Sequence, residues 1–178
     1  MEPILIKPPQ ATLGLPRERL LQLQALAKKR ETTIVSLIEG TIADAIANGE
    51  ISDELEGFSA EREDFGRVRI TIRGLPLPLV GSKIASAIAI VLDAAAGKPL
   101  ERQGPTIHGF EMQADKLVPI KLNEELDHPA TIAFMRHGKA VMFSFRDDVT
   151  GEVTKTSFPP SIALDLARMI RREIGVSH

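Results

Sequence analysis

The stretch IVSLIEGTIADAIAN, residues 34–48, sets the tightest limit on what this chain can fold into. Ile34, Val35, Leu37, Ile38, Ile42, Ala43, Ala45, Ile46 and Ala47 recur at helical spacing yet cover far more than one face. A helix that is apolar around most of its circumference has to be covered on several sides. The unit that ends at Asn48-Gly49 has fewer than 50 residues, too few to surround it. A second chain is the physical solution, since a two-fold pair lets the helices bury one another.

The residues leading into this helix have their own pattern. Leu20, Leu23 and Ala27, with Leu21 and Ala25, predict a helix from Pro16 to about Arg30. Pro16 suits its first turn, where the missing N–H has no partner in any case. Glu31-Thr32-Thr33 follows, and either threonine can accept from the free N–H groups that open the second helix. Asn48-Gly49 is a usual helix end. Before Pro16 runs Gln10-Ala11-Thr12-Leu13-Gly14-Leu15, a short alternating strand with no second strand nearby. Across a dimer axis it can pair antiparallel with its own copy. Ala11, Leu13 and Leu15 then face the helices, while Gln10, Thr12 and Gly14 face solvent. A two-stranded ribbon fits the DNA major groove, glutamine can bond adenine bidentately, and threonine can bond several base edges or touch a thymine methyl.

Residues 9–50, and PQATLGLPRERLLQL in particular, resemble the ribbon-helix-helix family of the Arc and MetJ type, dimeric proteins that insert a paired β-ribbon into the major groove. The resemblance covers about a quarter of the chain. It implies an intertwined homodimer, or a higher even oligomer, on double-stranded DNA. It puts Gln10, Thr12 and Gly14 at the base-facing positions and Thr33 at the helix start that clamps a phosphate. That clamp is physically sound, because a helix N-terminus is an anion site. Lys7, Arg17, Lys28, Lys29, Arg30, Thr32 and Thr33 form the expected phosphate-contacting set. The chain departs from the family at two places: Gly14 offers no reading side chain, and Glu31 stands in the inter-helix turn where the family often has glycine.

The formal net charge of -2 hides a division. Residues 50–66, reading EISDELEGFSAEREDFG, carry seven acids against one base. Two mildly basic parts lie on either side. The segment reads as an acidic linker between residues 1–49 and 67–178.

Beyond it, Val68, Ile70 and Ile72 alternate with Arg67, Arg69, Thr71 and Arg73, predicting a half-buried strand. Its basic outer face could touch DNA or pair with the acidic segment. The two prolines of GLPLPL exclude a central strand there. Ser82 can cap a helix running to about Ala96, closed by Gly97 and Pro99. Strands are expected near 107–113, 118–122, 131–136 and 140–146, the last two joined through His137-Gly138-Lys139. Another strand is expected over 152–158, and Pro159-Pro160-Ser161 opens a last helix to about Ile174. The fold class is therefore α+β: an N-terminal ribbon-helix-helix unit, then a domain with a mostly antiparallel sheet and two helices on one face. That domain is expected to oligomerise or to sense a protein or small molecule.

Catalytic signals are missing. Gly81-Ser82-Lys83 inverts the order of a phosphate loop. Glu124, Glu125, Asp127 and His128 form a polar loop, and His108, His137 and His178 lack metal-ligand spacing. Asp147-Asp148 flanks a turn and suits capping it. There is no cysteine, so thiol nucleophiles, disulfides and thiolate metal sites are excluded. No cofactor, no metal and no enzymatic activity are expected. No apolar run approaches the ~18 residues of a membrane span, and the start MEPILIKPPQ does not read as a signal peptide. A cytoplasmic location is the expectation. The leading expectation for function is a sequence-specific transcriptional regulator. The alternative is an antitoxin or plasmid accessory protein whose N-terminal module mainly dimerises while its C-terminal domain grips a protein partner.

Overall fold

A computed structural model of the chain describes residues 14–97, 118–122 and 129–175. The chain divides into two compact units, Pro9–Asp53 and a larger one containing Glu54–His178. The smaller unit holds α1 (Arg17–Lys29) and α2 (Ile34–Ala47). The larger holds β1 (Phe58–Arg62), β2 (Val68–Ile72), β3 (Leu75–Pro76), α3 (Ser82–Ala96), β4 (Val118–Leu122), β5 (Ala130–His137), β6 (Ala140–Asp147), β7 (Val153–Phe158) and α4 (Pro160–Ile174). The class is α+β. Its strands form two antiparallel sheets, ordered β1-β2-β3 and β4-β5-β6-β7, rather than one. The strand expected over 107–113 lies outside the described residues.

The alternation in β2 sets the first sheet. Val68, Ile70 and Ile72 are fully buried, and β1 lies antiparallel to them with Phe58 opposite Ile72 and Arg62 opposite Val68. Residues 58–62 are therefore part of the domain, which corrects the expectation of a linker spanning 50–66. The reason is local. Phe58 and Ala60 point inward while Ser59 and Glu61 point outward, so the acidic stretch carries a strand's alternation beneath its charge. The outer basic face of β2 pairs with these acids: Glu61 lies opposite Arg69, and Arg69 Nε donates to Glu63 Oε1 at 2.8 Å. Exposed pairs of this kind contribute about 0–1 kcal/mol, so the hydrophobic alternation decides the pairing. The hairpin tip exposes Phe65, which holds a left-handed φ of 59° and is covered by nothing among the described residues.

The second sheet presents Ile120, Leu122, Ile132, Phe134, Val141, Phe143 and Phe158 to the same core. Gly138-Lys139 closes the β5–β6 hairpin, with His137 opposite Ala140. Asp147 Oδ1 accepts from the Val149 and Thr150 N–H groups at 2.8 and 3.0 Å, capping the β6–β7 turn. Asp148 accepts from the Thr131 hydroxyl at 2.8 Å and from Arg146 Nε at 2.7 Å. The Thr131 bond, then the Arg146 bond, hold its carboxyl below the usual value of 3.8.

Helices α3 and α4 pack on each other, α3 against β4, β5 and β6, and α4 against β1, β2 and β6. Ile88, Leu92, Leu166 and Ile170 are fully buried in one core that also takes in both sheets. The edge-on Phe58–Phe158 contact, 5.3 Å between ring centroids, joins the sheets through that core. Where the helices meet, Arg171 Nη2 donates to Asp93 Oδ2 at 2.5 Å, and both side chains are largely buried. Burial obliges such charges to pair. The N-cap of α3 is Gly81 rather than Ser82, and no side chain caps the helix. Gly97 ends α3 at φ 91°, with the Arg136 guanidinium lying where a Cβ would project. Gly97→Ala should lower the unfolding free energy by about 1–2 kcal/mol, chiefly through the left-handed backbone. Urea unfolding of the variant and the wild type checks it.

Candidate nucleic-acid interface

The candidate interface begins with the corner between α1 and α2. Arg30 caps α1, and the chain then turns through a bond from Thr32 N–H to Ala27 O at 2.9 Å and one from Glu31 N–H to Lys28 O at 3.2 Å. This is the Schellman arrangement, which needs a left-handed residue just past the cap. Glu31 supplies it with φ 51°. The end of α2 repeats the same pair of bonds, from Glu50 N–H to Ala45 O and Gly49 N–H to Ile46 O, with Gly49 at φ 72°. Two identical caps thus use glutamate once and glycine once. Glu31 meets at a cost the conformational demand that Gly49 meets freely.

Of the two candidate caps for α2, Thr33 is the N-cap. Its Oγ1 accepts from Ser36 N–H at 3.1 Å and lies 2.9 Å from the Ser36 hydroxyl. Thr32 is half-buried beside it. Ser36 was not singled out from the sequence. The T-x-x-S spacing, a relative of the capping box with serine in place of the acid, was the available signal. The first N–H groups of an α-helix have no internal acceptor, so the start of α2 presents donors and the positive end of the helix dipole. Lys28, Lys29 and Arg30 are exposed in the six residues before the start of α2. The corner therefore joins three cations, one acid and a helix N-terminus, which suits a phosphate.

Arg17 is not part of this corner. It opens α1, a helix of 13 residues, and sits about 18 Å along the axis from Lys29. Gly14 and Leu15 are exposed and belong to no regular element. Lys7, Gln10 and Thr12 lie outside the described residues, as do His108, Glu124, Glu125, Asp127, His128 and His178.

The second feature of the unit is its exposed apolar surface. No residue of α2 is buried, and in α1 only Ala27 is. Val35 is 66% exposed, Leu21 56% and Ile42 41%. No described helix is long and apolar enough to cross a membrane. No protein-family model matches the chain, and no curated protein or solved structure matches it either.

Replacing Glu31 by glycine should relieve the left-handed strain and stabilise the α1–α2 unit by about 1 kcal/mol. Hydrogen exchange at the Glu31 and Thr32 amides, whose bonds close the corner, reads the gain as slower exchange.

Proposed function

We propose that this protein is a DNA-binding regulator that works as a dimer of its N-terminal units, in the manner of the ribbon-helix-helix proteins. The observation that carries the reading is that no residue of α2 is fully buried, while Val35 and Ile42 are exposed. Six large aliphatic side chains sit on this helix, Ile34, Leu37, Ile38 and Ile46 half-buried and Val35 and Ile42 exposed, so one chain covers it only in part. Moving a large aliphatic side chain fully out of water contributes about 1.5–3 kcal/mol. A second copy offers the same surface in two-fold relation, so each helix becomes the other's missing core.

In the proposed complex the cationic corner of Lys28, Lys29 and Arg30, with the N-terminus of α2 at Thr33, holds the phosphate backbone. Residues 10–14 read the bases, with Gln10 and Thr12 as the reading side chains. The unit carries few cations, so affinity for DNA at large is modest and falls with salt in proportion to the few phosphates neutralised. The second unit has its own core and two sheets, which favours a folded oligomerisation or sensing domain over a tail that folds on a partner.

Two measurements test this reading. Ile42→Lys buries a charge in the proposed helix interface and should convert the N-terminal dimer to monomer in sedimentation experiments. An unchanged dissociation constant would remove α2 as the interface. Fluorescence anisotropy with DNA from upstream of the protein's own gene, against shuffled DNA at two salt concentrations, tests recognition. The Gln10→Ala, Thr12→Ala double variant should lose about tenfold or more of the preference for the native sequence while remaining dimeric. Retained preference would show that the ribbon is not the reader. Dimers that bind neither DNA would favour the reading in which the unit only dimerises.

A further inference from the structure

Among the described residues the two sheets of the larger unit have four outer edges, and three are defended. β1 uses its outward Phe58 N–H on Leu55 O at 3.0 Å and ends in the charged Glu61-Arg62 pair. β3 is two residues long, ends in Pro76 and is followed by Pro78. β4 carries Pro119 and an exposed Lys121. Short strands, prolines and edge lysines are the usual means of keeping an edge from pairing with another chain. β7 differs: it is six residues long, has no proline, and its one charge, Lys155, is half-buried. Among the described residues nothing pairs with its outer side.

The hydrogen-bond phase of β7 identifies the open groups. Asp147 N–H donates to Glu152 O at 3.0 Å, so Glu152, Thr154 and Thr156 turn their backbone groups toward β6. Val153, Lys155 and Ser157 turn theirs outward. Arg73 Nη2 donates to Ser157 O at 3.3 Å, which closes the far end of the edge. The open part is therefore Val153 to Lys155. Val153 is 44% exposed there, and Val149, in the turn that precedes the strand, is 69% exposed.

We infer that β7 pairs antiparallel with β7 of a second copy, joining two four-stranded sheets into one of eight. An antiparallel edge is self-complementary about a two-fold axis, and the register follows from two independent features. A pairing centred on Lys155 would set the two lysines directly opposite one another, which is unfavourable. It would also require Ser157 O, which Arg73 already occupies. A pairing centred on Thr154 avoids both. It sets Val153 opposite the partner's Lys155, uses only the open backbone groups, and brings the exposed Thr154 beside its own symmetry mate. This contact is separate from the helix interface proposed above and does not rest on it.

The chain has no cysteine, which makes the contact directly testable in the full-length protein. In the Thr154-centred register the two Thr154 residues form a pair without mutual hydrogen bonds, with Cα atoms about 4.5 Å apart, within the about 4.4–6.8 Å that a disulfide spans. Thr154→Cys should give a covalent dimer under mild oxidation at least about tenfold faster than Lys139→Cys, an exposed control in the β5–β6 turn. Adding Val153→Lys to Thr154→Cys places lysine against lysine and should slow the cross-link several-fold, with the circular dichroism spectrum unchanged. Equal rates for Thr154→Cys and Lys139→Cys would overturn the inference, and so would indifference to Val153→Lys. If the protein still sediments as a dimer in that case, only the β7 contact has failed and the α2 interface stands.

Discussion

Two of the four described helices carry apolar side chains around most of their circumference, and water tolerates neither as a lone cylinder. The chain meets this constraint in two ways. For α3 the cover is internal: α4 lies along one side and β4, β5 and β6 along another. Eight of its residues, from Ala85 to Ala95, are buried as a result. For α2 the 45-residue unit Pro9–Asp53 has no further element to offer among the described residues, and no α2 side chain is buried. The same sequence property thus makes a domain core in one place and a surface in search of a partner in the other. The proposed dimer follows from this asymmetry.

Charge plays a smaller and more local part. The acids between Glu50 and Asp64 are numerous, but what fixes residues 58–62 in the sheet is the alternation of Phe58 and Ala60 beneath them. Glu63 then meets Arg69 at the surface. The basic outer face of β2 is thereby occupied at Arg69 by the chain's own acid, which reduces what it could offer to DNA. At the α3–α4 contact the pair Asp93–Arg171 is largely out of water, where losing either partner strands a charge. At the α1–α2 corner, Lys28, Lys29 and Arg30 lie exposed close to the N-terminus of α2.

Much of this architecture was legible in the sequence. α3 spans Ser82–Ala96 and β4 Val118–Leu122, as the periodicity and the glycine and proline boundaries predict, and α1, α2, β2, β5, β6, β7 and α4 differ from expectation by a residue or two at their ends. The misses have physical causes. β1 was hidden because its inward positions number only two, Phe58 and Ala60, inside a stretch dominated by acids. The split into two sheets depends on long-range pairing, to which a local pattern is blind. Ser82 looked like a cap by residue type, but the extended backbone that precedes the helix belongs to Gly81. At the corner, Thr33 rather than Thr32 is the cap because the left-handed Glu31 and the two Schellman bonds consume the intervening residue. Of the residues expected to face bases, only Gly14 lies within the described residues, and the expectation of a ribbon comes from the alternating sequence.

The two proposed self-contacts differ in what they demand of the chain. In the proposed dimer the α2 surface takes a partner because one small unit covers its apolar side chains only in part, and any variant that adds charge there acts on folding and association together. The β7 edge needs a partner only because it lacks the devices that blunt β1, β3 and β4. Its cost when unpaired is a few solvated backbone groups rather than a missing core. The first contact is therefore expected to be obligatory and the second conditional, sensitive to concentration and to whatever holds the units near one another. A dimer held through its N-terminal units raises the effective concentration of the two β7 edges, so an edge too weak to associate alone can close once the helices have paired.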